Sequence, residues 1–313
     1  MIAIDPGFGA LKFFADNGRS GEIVAHVVPA AQSVDWSALG MERGPKATLI
    51  ENSIGRFWTG INATEYGESK PRNDFEKLAG SPEVRALVYS AFTEGQITGE
   101  HDVLLALPMG VAMGQGANER IAEIKGWLIG AHSWTGNGHK RVLSIPNVRV
   151  LSQVQAAFMD YALTAKGQDA EDLAGEIGVI SIGHNTIELA VWKDGKIAGW
   201  GASGEREGVR NLLGLVRNHG MKDYSIAELD RKLRDGALDV SASVEMWRST
   251  IAGLIDQTWN GRDGRFTRIV AVGGGVQFAD AMLIRRYTER LFVPRDATMA
   301  VCRGLVKLSR RGK

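Results

Sequence analysis

Residues 1–12, Met1-Ile2-Ala3-Ile4-Asp5-Pro6-Gly7-Phe8-Gly9-Ala10-Leu11-Lys12, decide how this chain is read. An apolar strand ends on an acid, turns through two glycines and resumes as a strand carrying a lysine. Glycine lets a backbone turn tightly and approach a bulky anion, and such turns present outward N–H groups. A second turn, Ser181-Ile182-Gly183-His184-Asn185-Thr186, lies between the apolar runs 177–180 and 187–191. A third, Gly273-Gly274-Gly275, follows Ile269-Val270-Ala271-Val272. Two such hairpins half a chain apart, with a late third turn, suggest a nucleotide clamped between two related halves.

A chain of 313 residues can bury two cores. Its hydrophobic content of 44% and charged content of 23% are those of a soluble globular protein. A net charge of +1 argues against a broad nucleic-acid-binding surface. The lone Cys302 excludes an intrachain disulfide and a cysteine metal cage. The N-terminus does not read as a signal peptide, and no apolar run reaches the ~18 residues that a spanning helix needs. The expected location is cytoplasmic, with no membrane partner.

The chain opens as a meander: Ile2–Asp5, Ala10–Ala15 and Glu22–Val28, with Asn17-Gly18 as a tight turn. Residues 29–69 mix strand candidates (Ala47–Ile50, Arg56–Thr59) with many turn residues and read as an irregular inserted subdomain. Asp102–Leu107 is a buried strand closed by Pro108. The apolar period of Ile121, Ile124, Leu128 and Ile129 predicts a helix over Gly116–His132. Strands follow at Arg141–Ile145 and Val148–Leu151, then a helix over Gln153–Lys166, with a boundary in 167–175. A second meander then begins: Ile177–Ile182, Ile187–Trp192 and Ile197–Trp200, with Lys193-Asp194-Gly195-Lys196 as a hairpin turn. Helices are expected at Glu205–Asn218, Ser225–Leu233, Val240–Trp259, Gln277–Leu291 and Ala297–Arg311, and a strand at Arg268–Val272. Strands followed by helices in each half fit an α/β protein with mixed sheets.

At these residues the chain resembles the actin/Hsp70/sugar-kinase superfamily. Asp5-x-Gly7-x-Gly9-x-x-Lys12 is similar to its first phosphate loop, in the actin and bacterial-actin form. Ser181-Ile182-Gly183-x-x-Thr186 resembles the second phosphate loop, and Gly273-Gly274-Gly275 the adenosine loop. Gln153-Val154-Gln155 opens a helix where the family has its first interdomain connector; Ala300 and Gly304 fall where the second belongs. Length and the Leu107-Pro108 strand end look most like ParM-type plasmid-segregation actins and related bacterial or archaeal actin-like proteins. The resemblance covers essentially the whole chain but is carried by about five short motifs. It implies an actin-like two-domain α/β fold, two ribonuclease-H-like halves with a nucleotide in the interdomain cleft. Residues 1–165 with the closing helix 297–313 would form the first domain, with an inserted subdomain at about 29–95. Residues 176–296 would form the second, with a small helical insertion at about 215–240.

The same resemblance implies roles. Asp5 would hold hydrated Mg²⁺, which one or two carboxylates plus phosphate oxygens suffice to grip; an acidic turn residue is the plainer alternative. Lys12 would reach the β-phosphate. Gly7, Phe8, Gly9, Gly183, Asn185, Thr186 and the three glycines 273–275 would line the nucleotide, ATP or GTP. Gln153 aligns with the residue that orients the attacking water, with Gln155 as competitor and Ser152 as the helix cap. Ser181 stands where the family usually has aspartate, which puts the hydrolysis rate in doubt more than binding. His184 either contacts the γ-phosphate or faces solvent in place of a glycine. Glu228 with Arg231 resembles the ribose- and base-side contacts of a family helix, with a solvated helix face as the alternative, and Gly204-Glu205 resembles the family's Gly-acid step after the third strand of the second half, also at the nucleotide. The basic residues Arg285, Arg286, Arg303, Lys307, Arg310, Arg311 and Lys313 read as a solvated face, with a partner or DNA contact as the alternative.

Three functions follow. The first is a filament-forming ATPase whose partners are its own copies and, through a DNA-binding adaptor, a plasmid or other DNA. The second is a non-polymerising nucleotide switch that binds a protein partner. The third is a small-molecule kinase, which needs an acidic general base for which Glu188 and Asp160 are the only candidates. A dinucleotide fingerprint, a Gly-Lys-Ser/Thr loop and a histidine or cysteine zinc pattern are all missing from the sequence.

Overall fold

A computed structural model of the chain describes residues 1–30, 47–69, 78, 80–170 and 173–311. It divides into two compact units, residues 1–107 with 114–150, and residues 108–113 with 151–313.

In the first unit, β1 (Ile2–Pro6) pairs antiparallel with β2 (Ala10–Ala15), and β2 with β3 (Ser20–Val24). Strands β4 (Val27–Pro29), β5 (Thr48–Asn52), β6 (Gly55–Thr59), β7 (Gly99–Glu100) and β8 (Val103–Leu107) follow. β8 lies parallel to β1. Next come β9 (Gly130–Gly136), β10 (His139–Ile145) and β11 (Val148–Ser152). Among the described residues they form two sheets, ordered β11-β8-β1-β2-β3 and β4-β6-β5-β9-β10-β7. Every residue of β1 and β8 is buried, as expected of strands covered on both faces. Helix α1 (Pro82–Glu94) packs its Leu87, Val88 and Phe92 into this core. The short α2 (Met109–Ala112) and α3 (Ala117–Leu128) follow.

The second unit repeats the first meander. After α4 (Gln153–Ala162), β12 (Glu176–Ile182) pairs antiparallel with β13 (Ile187–Lys193), which is flanked by β14 (Lys196–Ile197) and β15 (Ser203–Glu205). β16 (Arg268–Val272) lies parallel to β12, as β8 does to β1, and β17 (Leu291–Phe292) extends the sheet. Helices α5 (Val209–Asn218), α6 (Ile226–Arg234), α7 (Ser241–Trp259), α8 (Val276–Tyr287) and α9 (Ala300–Ser309) complete it. The core of this unit is built on Trp247, Ile251, Ile255 and Trp259 of α7 against Ile180, Leu189, Val191 and Ile269 of the sheet. On the sheet's other face Phe158 of α4 stacks on Trp192, ring centroids 4.4 Å apart. α4 and α9 cross at backbone contact: a Cβ added to Gly304 would lie 1.8 Å from the Ala156 carbonyl oxygen.

Several expectations need correction. Glu22–Val28 is two strands in different sheets, broken at Ala25-His26 where the His26 carbonyl turns to accept the Gly60 N–H. In 29–69 both strand candidates appear, as β5 and β6, and they are followed by a 3-10 helix at Ile61–Tyr66; residues 31–46 lie outside the described residues. Helix α1, capped by Ser81 with Pro82 at its first position, is a helix that periodicity alone did not reveal. The helix expected to run to His132 stops at Leu128, because Gly130 adopts a φ of 126° and starts β9. Gln153–Lys166 closes early, at Ala162, and Ala297–Arg311 shrinks to α9. Of Ile197–Trp200 only Ile197 is strand, and Ser203–Glu205 takes its place beside β13. The helix expected from Glu205 therefore starts at Val209. That expected over Gln277–Leu291 breaks after Tyr287, where Thr288 sits at a φ of 47°.

Candidate functional site

The first loop belongs to the first unit. Asp5, next to last in the buried β1, is 3% exposed and directly opposite Lys12 on β2, and the Lys12 ammonium lies 3.4 Å from its carboxylate. A Cβ on Gly7 would come within 2.8 Å of the Ala10 carbonyl oxygen, so the turn closes only with glycine there. Phe8 is buried. The site offers one carboxylate, one ammonium and a tight glycine turn.

The second loop and the glycine run belong to the second unit, where they form one piece. Gly183 donates its N–H to the Thr186 carbonyl at 2.8 Å, closing the turn between β12 and β13. The Gly183 and His184 carbonyls accept the N–H groups of Val209 and Arg210, the first residues of α5. Gly208 is required there: a Cβ would lie 2.4 Å from the His184 carbonyl oxygen. At the end of β16, Gly275 donates to the Ile182 carbonyl and Gly273 to that of Ala297. Gly273 has a φ of 95°, and a Cβ on it would fall 2.3 Å from the Ile182 carbonyl oxygen. Two of the three glycines are thus demanded by close approach to β12, Gly275 by the Ile182 side chain, while a Cβ on Gly274 would meet only an ordinary contact, Thr298 Oγ1 at 3.7 Å.

Other residues fall as follows. Ser181 lies opposite Glu188, both buried. Thr186 and Asn185 are also buried, and Asn185 Oδ1 has no hydrogen-bond partner among the described residues. His184 does not face solvent: its Nδ1 lies 3.5 Å from Asp230 on α6, which in turn pairs with Arg234 at 2.8 Å. At the start of α4, Ser152 is the cap. The Gln155 side-chain oxygen accepts both the Ser152 N–H, at 3.0 Å, and its hydroxyl, at 3.1 Å. That occupies Gln155; Gln153, the first residue of α4, is buried. Glu228 is committed to the equivalent box on α6, where the Ser225 N–H holds its carboxyl below the usual range. Arg231 lies on the same helix. Gly204 and Glu205 are in β15, with Glu205 exposed.

Of the basic residues, Arg285, Arg310 and Arg311 are exposed, as expected of a solvated face, and Arg286, Arg303 and Lys307 are half-buried. Arg303 and Lys307 of α9 both grip Asp160 of α4, at 2.7 and 2.9 Å, which also removes Asp160 as a candidate base. Arg286 pairs with Asp256 and Asp263, Arg311 with Asp169, and Arg285 lies 3.8 Å from Glu245. Lys313 lies outside the described residues. A glycine-closed turn with a strand carboxylate and an ammonium, as in the first loop, fits a phosphate-bearing ligand with a mostly hydrated divalent ion. Among the described residues no group of three or more His, Cys, Asp or Glu could hold a metal by itself. Nor, among them, is any helix long and apolar enough to cross a membrane.

No family model matches the chain, and no curated protein matches it in sequence. Solved structures do. The ADP complex of Ta0583, an archaeal actin homolog, matches with a TM-score of 0.75 at 16% identity over 98% of each chain. An apo pSK41 ParM protein gives 0.73 at 14% identity, covering 98% of this chain and 95% of that one. A 15-stranded ParM filament from Clostridium botulinum gives 0.74 at 14%, covering 99% and 98%. The fold is therefore the two-domain actin-like α/β fold with mixed sheets, as the motifs imply.

Proposed function

We propose that this chain is a nucleotide-dependent, filament-forming ATPase that positions DNA or other cargo in the cytoplasm through an adaptor protein. The reading rests most on one observation: the hairpin that sets Asp5 opposite Lys12, closed by an obligatory glycine, at the end of a fully buried strand. In this reading one nucleotide engages the loops of both units. The division into halves, 1–165 with 297–313 and 176–296, belongs to the same proposal. Mg²⁺, when bound, would offset phosphate charge. Asp5 would hold its waters, and Lys12 would meet the phosphates as a point charge. Backbone N–H groups of the loop residues, Phe8, Gly9, His184 and Asn185 among them, would cradle the phosphate oxygens. Gly273, Gly274 and Gly275 would pass along the nucleoside, with Gly204, Glu205, Glu228 and Arg231 at the ribose and base. Gln153, which stands outside the capping box that holds Gln155, would orient the attacking water, a task that asks for placement more than basicity.

Light scattering and pelleting with Mg²⁺ and ATP, GTP, ADP or a non-hydrolysable analogue test this. Scattering that rises above a critical concentration only with triphosphate is the expected result. Bound nucleotide with a flat trace at all concentrations and salts would instead favour a non-polymerising switch. The uncharged Ser181 supports that second reading, since slow hydrolysis suits a shape change held for long periods.

A further inference from the structure

Between β9 and β10 the chain turns through Asn137 and Gly138 alone, at φ of 52° and 81°, the geometry of a tight hairpin. Such a turn makes its flanking pair, Gly136 and His139, a hydrogen-bonded one, and bonded and non-bonded pairs then alternate along the strands. His139, Arg141 and Leu143 therefore direct their N–H and C=O groups at β9, while Lys140, Val142 and Ser144 direct theirs away. Ser144 bears this out: its carbonyl accepts the His101 N–H at 3.0 Å, just past β7. But β7 pairs with β10 at Leu143 and Ser144 alone. Among the described residues no strand lies beside Lys140 and Val142, whose backbone groups form a short open edge.

The side chains there are unusual for an edge. Val142, 58% exposed, is the most exposed large apolar side chain among the described residues. Lys140 is exposed and shares its face of the sheet, while Arg141 lies half-buried on the other face. Arg141 Nε is buried with no hydrogen-bond partner among the described residues. The Thr93 hydroxyl, which crowds the same Gly136 position, already donates to the Tyr89 carbonyl and accepts the Trp134 Nε1–H. A donor buried without an acceptor is costly, and a carboxylate brought alongside would offset the arginine's charge. Lysine on an open strand discourages stray pairing, but an exposed valine invites it. A second copy of β10 laid against this edge would bring two cationic runs together, which is unfavourable.

We propose that the open edge of β10 takes an extended acidic segment of a partner protein as an added strand. Its backbone pairs with Lys140 and Val142, and its carboxylates meet Lys140 on one face and Arg141 on the other. The added strand is short, because β7 occupies the edge beyond Val142 and its exposed Glu100 repels further acids. The surface lies wholly within the first unit and needs no nucleotide, so it stands or falls apart from the ATPase reading.

The test adds blocked synthetic peptides to the full chain and follows amide exchange residue by residue. The probe alternates glutamate with threonine; its lysine counterpart and a short DNA duplex serve as comparisons. Only the acidic peptide should slow exchange at the Lys140 and Val142 amides, by about tenfold at saturation, while Leu143, already paired to β9, is unchanged. Val142→Pro removes the edge donor, and proline is tolerated where an N–H faces no strand. It should leave Tm unaltered and weaken peptide binding about tenfold, the worth of a hydrogen bond. Lys140→Glu with Arg141→Glu should weaken binding at least as much. No slowing with the acidic peptide, equal slowing with the lysine peptide or the duplex, or full binding by the proline variant overturns the inference. The exchange arm uses the native chain, so it decides even where a variant fails to fold.

Discussion

At the scale of single residues, the glycines divide by what forces them. Gly7, Gly208 and Gly273 are each required by a carbonyl oxygen close to where a Cβ would stand, and Gly304 by a neighbouring helix. Gly183 is different: a Cβ there would meet only ordinary contacts at 3.5 Å or more. A Gly304→Ala substitution should lower unfolding free energy by about 3 kcal/mol in urea titration, since the obstruction is backbone and cannot swing aside. Gly183→Ala should cost less than about 1 kcal/mol. The sequence showed where the glycines cluster, and it showed Asp5 and Lys12. It could not show which glycines answer to the fold itself, because that depends on segments distant in the chain, Ile182 against Gly273 and Ala156 against Gly304. The same holds for His184, whose partner Asp230 lies on a helix of its own.

At the scale of elements, legibility followed local chemistry. Capped helices such as α6 and hairpins such as Lys193–Lys196, with Asp194 and Gly195 at φ of 48° and 75°, announce themselves. Elements whose partners are remote do not. β9 was hidden in the helical period before Gly130, and β15 in the approach to α5, since each becomes a strand only by finding a neighbour. The α6 cap makes a pH prediction. The Ser225 N–H lowers the Glu228 pKa below its ordinary 4.5, so the cap's contribution is present above that value and is lost as pH falls through the lower folded-state pKa. Amide protection factors in the first turn of α6 should therefore fall more on acidification than those in α7, and Glu228→Gln should abolish the difference.

At the scale of the molecule, the repeated topology matters most: an antiparallel hairpin with a later strand parallel to its first member, in β1-β2-β8 and again in β12-β13-β16. The two meanders in the sequence carried this, because each strand pair is local and its turn is chemically marked. The second sheet of the first unit was not legible, being assembled from 27–59 and 99–145. If nucleotide is a true ligand of this fold, it must stabilise it by mass action. ADP with Mg²⁺ at a hundredfold excess over Kd should raise unfolding free energy by about 2.7 kcal/mol, seen as a higher Tm in scanning calorimetry. No displacement of the transition would leave the proposed ligand without support.

The meeting of α4 and α9 at Gly304 carries a final consequence. Its demand comes from a helix backbone and from no ligand, so it is indifferent to chemistry. A descendant of this chain could lose every polar side chain of its glycine-rich loops, yet still be obliged to keep a hydrogen atom as the side chain at position 304. That position is a marker of architecture, whatever the loops do.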